Sequence, residues 1–235
     1  MIEREYTAMA RLQNSFWWHK GSEKIFKSVL GGKKFKSVLN AGCGTGRLSG
    51  KFGSTTNLDV HEKALESCRK AGLKAKKGNL NKLPFKEEFS LALATDVLYH
   101  KGVDIPKALT ELHRVLKPNG LLLVNEPAFE FLASSHDVAM QTQKRFTRRE
   151  LVEEIENAGF RVKKATYWNF FLFPFIALMR FLKRGSSGKK SDVKEINPVI
   201  NSILYFIIIV ESKLVKFVNL PFGVSICVLA EKVKK

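Results

Sequence analysis

Residues 38–46 read VLNAGCGTG, a short apolar strand that runs into Gly42, Gly44 and Gly46 at every second position. This feature restricts the fold more than any other in the chain. Alternating glycines after a strand make a turn whose backbone can take left-handed angles and press close to a ligand. A dinucleotide fingerprint would need Gly-x-Gly-x-x-Gly. Arg47 stands where its third glycine would be, so that fingerprint fails and a tighter one takes its place.

The chain after the turn alternates between two periodicities. A short helix is expected at 47–52 and a strand at 55–60 (TTNLDV), with Asp59 near its end. Residues 61–72 place Leu65 and Cys68 at helical spacing and stop at Gly72. A short strand (LKAKKGN) and a loop broken by Pro84 follow. The run FSLALAT at 89–95 is apolar throughout, as in a central parallel strand. Ile105, Ala108, Leu109, Leu112, Val115 and Leu116 form one helical face, ended by KPNG at 117–120. GLLLVNE at 120–126 is the next strand. Thr147 and Glu150 stand at capping-box spacing before a helix that Gly159 stops. Strands at 160–167 and 224–230 close the pattern. Strands alternating with helices predict an α/β fold, a mostly parallel sheet with helices on both faces.

Residues 168–223 do not fit a simple hairpin between the last two strands. They hold two apolar runs around a Gly/Ser/Lys-rich loop. Asn169, Pro174 and Arg180 interrupt the first run, and Glu211 and Lys213 end the second. Neither reaches the ~20 residues of a membrane span. With Arg180, Lys183, Arg184, Lys189 and Lys190 alongside, the segment reads as helices lying in an anionic membrane interface. The alternative is a helical cap on the sheet or on another subunit. Three parts are expected: an N-terminal helical lid (1–35), a core (36–167 and 224–235) and the apolar, basic insert (168–223).

The formal charge of +18, from 40 Lys+Arg against 22 Asp+Glu, calls for an anionic partner: nucleic acid, a membrane or a phosphorylated substrate. The basic residues neighbour apolar helices and do not interleave with exposed aromatics, which argues against nucleic acid. Cys43, Cys68 and Cys227 lack metal-ligand spacing, so no metal is expected. Unpaired thiols and an N-terminus without a secretory core suit a cytoplasmic protein, peripherally bound to membrane.

The strand–GxGxG turn, the acidic end of strand two, NLNKLPF, DVLYH and LHRVLKPNGLLLV resemble, in order, the class I S-adenosylmethionine-dependent methyltransferases. The likeness is to the type 11 group, whose small-molecule members include quinone and sterol methylases. It covers roughly residues 36–167 and the last strand. It implies a Rossmann-like seven-stranded sheet in the order 3-2-1-4-5-7-6, the last strand antiparallel, and S-adenosylmethionine as cofactor. Gly42, Gly44 and Gly46 would approach the methionine half, Asp59 the ribose hydroxyls and Val60 the adenine. Asn79 and Leu80 would meet the adenine amino group and ring, and Thr95 and Asp96 the reactive half. The sequence departs from the family's usual acids at Asn40, which would meet the cofactor's ammonium, and at Asn79 and Ser90.

Methyl transfer needs a base only where the acceptor has a proton to lose. Candidates are His100, after strand four, and His136 with Asp137, in the loop after strand five; Glu126 and Tyr99 are further ones. His113 falls on the charged face of its helix and is expected to face solvent. Trp17 and Trp18 read as lid or acceptor wall, or as a staple for the N-terminal helix. Arg145, with Lys144, Arg148 and Arg149, reads as a phosphate contact or as a solvated helix start. FWWHKGSEKIF, SSHDVAMQTQKRFTRREL, FPFIALMR and NLPFGVS resemble a subgroup associated with lipid-linked sugars and polyprenyl intermediates. The function expected is therefore methylation, at oxygen, of a small or lipid-linked acceptor at a membrane surface. A non-catalytic cofactor-binding scaffold and a nucleic-acid methyltransferase are the alternatives, and oligomeric state is open.

Overall fold

The computed structural model describes residues 3–182 and 196–233; the side chains of residues 3–5, 7, 8 and 136 are outside that description. The N-terminal segment forms α1 (Glu3–Leu12) and α2 (Trp17–Val29). Next come β1 (Phe35–Ala41), β2 (Gly53–Asp59), α3 (Glu62–Lys70), β3 (Ala75–Lys77) and β4 (Phe89–Thr95). The middle of the chain forms α4 (Ile105–Val115), β5 (Leu116–Pro127), a 3-10 turn (Glu130–Leu132), α5 (Ser135–Met140) and α6 (Arg148–Asn157). The last elements are β6 (Phe160–Trp168), α7 (Phe173–Leu182), α8 (Pro198–Leu214) and β7 (Ser225–Lys232).

The strands form one sheet in the order β3-β2-β1-β4-β5-β7-β6. The first five are parallel, and β7 runs antiparallel to both β5 and β6. Strand β4 shows why both faces need cover. Leu91 and Leu93 pack with Ile25 and Phe26 of α2 and Ile208 of α8, whereas Ala92 and Ala94 pack with Leu109 of α4 and Leu151 of α6. Side chains alternate across a strand, so a run apolar at every position must be buried on each side. Asp104 caps α4 by accepting from Lys107 N at 3.2 Å, and the Thr147–Glu150 capping box starts α6.

Two local expectations are corrected. Residues 47–52 form turns instead of a helix. They are closed by i→i+3 bonds, Ser49 N to Gly46 O at 2.9 Å and Lys51 N to Leu48 O at 3.2 Å, and Gly50 at φ 71° breaks the run. His113 is half-buried and not solvent-facing, because Phe160 packs edge-on against its ring at 4.9 Å.

The insert is pinned at its root. Glu211 of α8 is buried and accepts from the backbone N–H groups of Asn169, Phe170 and Phe171, where the chain leaves β6. Helix α8 is also tied to α2. Trp17 N donates to Asn201 Oδ1 at 2.9 Å, and Gly21 lies so near Ile208 that a Cβ would stand 2.7 Å from its Cγ2. Lys183, Arg184, Lys189 and Lys190, expected to flank the insert, lie outside the described residues. No helix among the described residues is long and apolar enough to cross a membrane.

Candidate cofactor and acceptor site

The glycine turn follows β1 at the carboxyl end of the parallel strands, where ligands bind in open α/β sheets. Gly42, Gly44 and Gly46 all take positive φ, at 71°, 53° and 80°. Two of them are also confined by space. A Cβ at Gly42 would stand 2.3 Å from Val97 Cγ2, and one at Gly46 would stand 2.6 Å from Leu73 Cδ1. A Cβ at Gly44 would meet nothing within 4 Å, so the turn leaves its open space there. Asp59, 6% exposed, holds the turn in place. Its Oδ2 accepts from Gly44 N and its Oδ1 from His61 N, both at 2.9 Å, which joins the turn to the start of α3.

Asp96 follows β4. Asn125 Nδ2 donates to its Oδ1 at 3.0 Å. Burial pushes its carboxyl up to about 6, against the pull of Arg47 and that hydrogen bond. Glu126 is fully buried and accepts from Val97 N at 3.2 Å, Leu98 N at 2.9 Å and Tyr99 N at 3.1 Å. Burial and the Asp96 charge push Glu126 well above the carboxylate range, while the three N–H groups oppose them. Its oxygens shape the β4 loop and are not free to act as the base that the sequence suggested.

The glycine turn, Asp59 and Asp96 open on a cavity of about 1480 Å³. At one pole lie the glycine turn, Asp59, Val60, Asn79, Leu80, Thr95 and Asp96. At the other lie Ile176 and Met179 of α7, Ile196, and Ile200 and Leu204 of α8. Trp17, Trp18, Tyr99, His100, Asp137 and Arg145 also line it. The volume exceeds the ~300–1,000 Å³ of a pocket for one drug-sized ligand, so there is room for a cofactor and an acceptor together. Among the described residues no His/Cys/Asp/Glu group is arranged to hold a metal.

A family model for a methyltransferase domain matches residues 39–124, the stretch that builds the cofactor pole. An uncharacterised protein of Methanocaldococcus jannaschii is 28% identical over 161 residues, 63% of this chain and 78% of that one. The ubiquinone/menaquinone biosynthesis C-methyltransferase of Wigglesworthia glossinidia brevipalpis is 28% identical over 140 residues, 50% of this chain. The match spans little more than half of that enzyme, 56%. Among solved structures, an S-adenosylmethionine-dependent methyltransferase of Thermotoga maritima, described as a possible histamine N-methyltransferase, superposes with a TM-score of 0.65. That likeness covers 98% of this chain and 97% of the other at 22% identity, which shows a shared fold. Residues 39–124 therefore match a methyltransferase domain, and the chain has the fold of S-adenosylmethionine-dependent methyltransferases. The cofactor that such a domain implies is S-adenosylmethionine.

The methyltransferase residues fit that cofactor. The turn has open space at Gly44, Asp59 keeps lone pairs beyond its two amide bonds, and Val60 is half exposed at the cavity wall. His19 Nδ1, at the same wall, is buried with no well-formed hydrogen bond among the described residues. Such an atom is costly unless a ligand or water meets it. Asn40 has a structural explanation. It is in register with Asn57, and its Nδ2 donates to Asn57 Oδ1 at 3.1 Å. Asn57 is itself fixed, since Ser49 Oγ donates to its Oδ1 at 2.6 Å and its Nδ2 donates to Lys74 O at 2.9 Å. An Asp at 40 would face an acceptor with an acceptor. Asn40 Oδ1 stays available. Asn79 is exposed, and its Oδ1 accepts from Asn81 N at 2.9 Å.

The acceptor-side residues differ in how they are held. His100 Nδ1 lies 2.7 Å from Met140 O. A carbonyl only accepts, so Nδ1 carries the proton and Nε2 is bare. Burial lowers its pKa to about 4, which keeps the ring neutral at pH 7. Asp137 is not a free carboxylate beside His136. Arg145 grips it with Nε at 2.7 Å and Nη2 at 3.1 Å, and Asp137 also accepts from Ser134 N at 2.8 Å. Burial alone would raise the Asp137 pKa, but the Arg145 guanidinium holds it below the usual range. Arg145 gives its remaining Nη1 to Ala128 O at 3.0 Å. The pair is therefore a buried strut, and Arg145 is neither the open phosphate contact nor the solvated helix start that the sequence offered. The His136 side chain lies outside the described residues. Asn57, Asn125 and Trp168 were not picked out by sequence, since single polar or aromatic residues inside strands carry no spacing signal.

Proposed function

We propose that the protein transfers a methyl group to an oxygen of a small or lipid-linked acceptor, of polyprenyl, quinone or glycolipid type, at an anionic membrane surface. The observation that carries this reading is the two-poled cavity: polar strand ends at one end, α7 and α8 at the other. The cofactor, when bound, supplies a methyl group activated on a sulfonium. Gly44 and the turn would lie against it, Asp59 and Asn40 would accept from its hydroxyl and ammonium donors, and Val60 and Leu80 would flank its base. The protein's main task is then alignment of the acceptor. Where the acceptor carries a proton, neutral His100 is placed to take it at Nε2, and His136 is a second candidate. Trp17 and Trp18 supply the wall between the two ligands.

The same two helices support membrane contact. While Ile176 and Leu204 line the cavity, Phe175 and Phe206 are each 64% exposed, and Phe217 beyond α8 is 84% exposed. Apolar faces of this size, on a chain of charge +18, suit an anionic bilayer. The relative from ubiquinone/menaquinone biosynthesis supports a quinone-type acceptor.

Calorimetry with S-adenosylmethionine and S-adenosylhomocysteine tests the first half. Binding of neither would sink the methyltransferase reading. Incubation with radiolabelled cofactor and a membrane lipid extract tests the second. Label that never enters the organic phase would remove lipid-linked acceptors, and label on carbon would replace the oxygen assignment. Protein that does not float with anionic vesicles would remove the membrane surface.

A further inference from the structure

Asp96 takes a φ of 54°, an angle that residues with a Cβ seldom adopt. Such a conformation persists where neighbours impose it. The neighbour is Asn125 of β5, which is fully buried. Asp96 N donates to Asn125 O at 2.7 Å, and Asn125 Nδ2 donates back to Asp96 Oδ1 at 3.0 Å. A third residue fixes which way the amide points. Trp168 Nε1 reaches Asn125 Oδ1 at 2.7 Å, and an indole N–H only donates, so Nδ2 must face Asp96. Trp168, also buried, packs against Trp18 of α2 with centroids 4.5 Å apart and the rings tilted by 39°.

We infer that Asn125 and Trp168 are positioning residues for Asp96, and that they link the seating of α2 over the cavity to the state of the carboxylate inside it. The consequence for ligand affinity rests on the cofactor reading above; the link itself does not. Without the indole N–H, only the bond to Asp96 holds the amide, and its oxygen is left buried without that donor. The amide is then less firmly aimed, and the bond that Nδ2 gives to Asp96 weakens. The other groups facing Asp96 are Arg47 from the glycine turn, Glu126 from β5, Tyr99 after β4 and Cys227 from β7. Burial keeps the Tyr99 phenol and the Cys227 thiol neutral, so they do not offset the loss. Arg47 favours the ionised carboxylate and burial opposes it. Asn125 adds a directed bond that shifts this balance toward the charged form.

The test follows Asp96 in the full chain by carboxyl carbon-13 NMR without cofactor, and S-adenosylhomocysteine affinity by calorimetry, both between about pH 5 and 8. Asp96→Asn identifies the resonance. Trp168→Phe keeps an aromatic face and removes the N–H. It should raise the Asp96 midpoint by roughly half to one pH unit and weaken the ligand severalfold. Trp18→Leu, at a partly exposed position, should shift the midpoint in the same direction by less. A Trp168→Phe midpoint that overlays the wild type, with cooperative unfolding retained, overturns the inference. If that variant does not fold, an unchanged midpoint in Trp18→Leu overturns it instead. Midpoints that move in a protein binding no S-adenosylhomocysteine would uphold the link and defeat the cofactor reading alone.

Discussion

Around the glycine turn two carboxylates are tied to backbone amides: Asp59 to Gly44 and His61, Glu126 to Val97, Leu98 and Tyr99. The insert has such a tie at its root, through Glu211, but its two helices are otherwise little buried. No residue of α7 is buried, and α8 buries only Ile208, Glu211 and Ser212. The first region is stiff and directional, as suits one ligand of fixed shape. The second offers apolar contact, which is non-directional and tolerates ligands and surfaces of varied outline.

The comparison can be broken at the Arg145–Asp137 strut, which lines the same cavity. Arg145→Ala leaves Asp137 buried and unpaired. Denaturant unfolding should show a loss of about 3–5 kcal/mol. A loss under 1 kcal/mol would mean the pair is not structural. Next in size, Asp59→Ala frees the turn and removes an acceptor for the cofactor. Calorimetry should show S-adenosylhomocysteine affinity reduced by roughly 100-fold, about 2.7 kcal/mol. An unchanged affinity would contradict the assignment of the rigid pole.

Glu211 gives a pH test of the insert. Burial raises its carboxyl to about 7, so the folded state holds a proton that the unfolded chain has released. Stability contributed by that proton is complete below about pH 4.5 and is lost as pH rises to 7. Relative to Glu211→Gln, the wild type should lose up to ~1.4 kcal/mol per pH unit inside that window and level off above it. Parallel stability curves for the two proteins would refute this. The smallest effect is expected on the exposed face. Phe175→Ser with Phe206→Ser should change stability by no more than about 0.5 kcal/mol while reducing anionic-vesicle flotation roughly tenfold. A large loss of stability would show that these side chains are covered.

The strands and the glycine turn were legible because they rest on local patterns: continuous apolar runs, helical stripes, caps and alternating glycines. The turns at 47–52 were not, since a positive φ at Gly50 overrides the neighbouring helix formers. Asp59 and Asp96 could be placed at strand ends, but their hydrogen-bond partners could not. The pairing of Asn40 with Asn57 depends on β1–β2 register, and Asn125 with Trp168 depends on three strands meeting. Arg145 carried the same misdirection. Its charge suggested an open phosphate contact, whereas Asp137, eight residues away, takes it into the interior.

The root of the insert has one more consequence. Tyr167 bridges to Leu220, and Val224 N donates to Trp168 O at 3.0 Å, so the segment leaves and rejoins the sheet at neighbouring points. Closing a loop costs little more as it lengthens. The segment is thus an exchangeable cassette. A lineage, or an engineer, can graft a different one between β6 and β7 and alter what is recognised without disturbing the strands that hold the cofactor. The graft has two obligations: it must bring its own acceptor for the three amides that Glu211 now satisfies, and it must cover the face of α2 and β4 that Ile208 now covers.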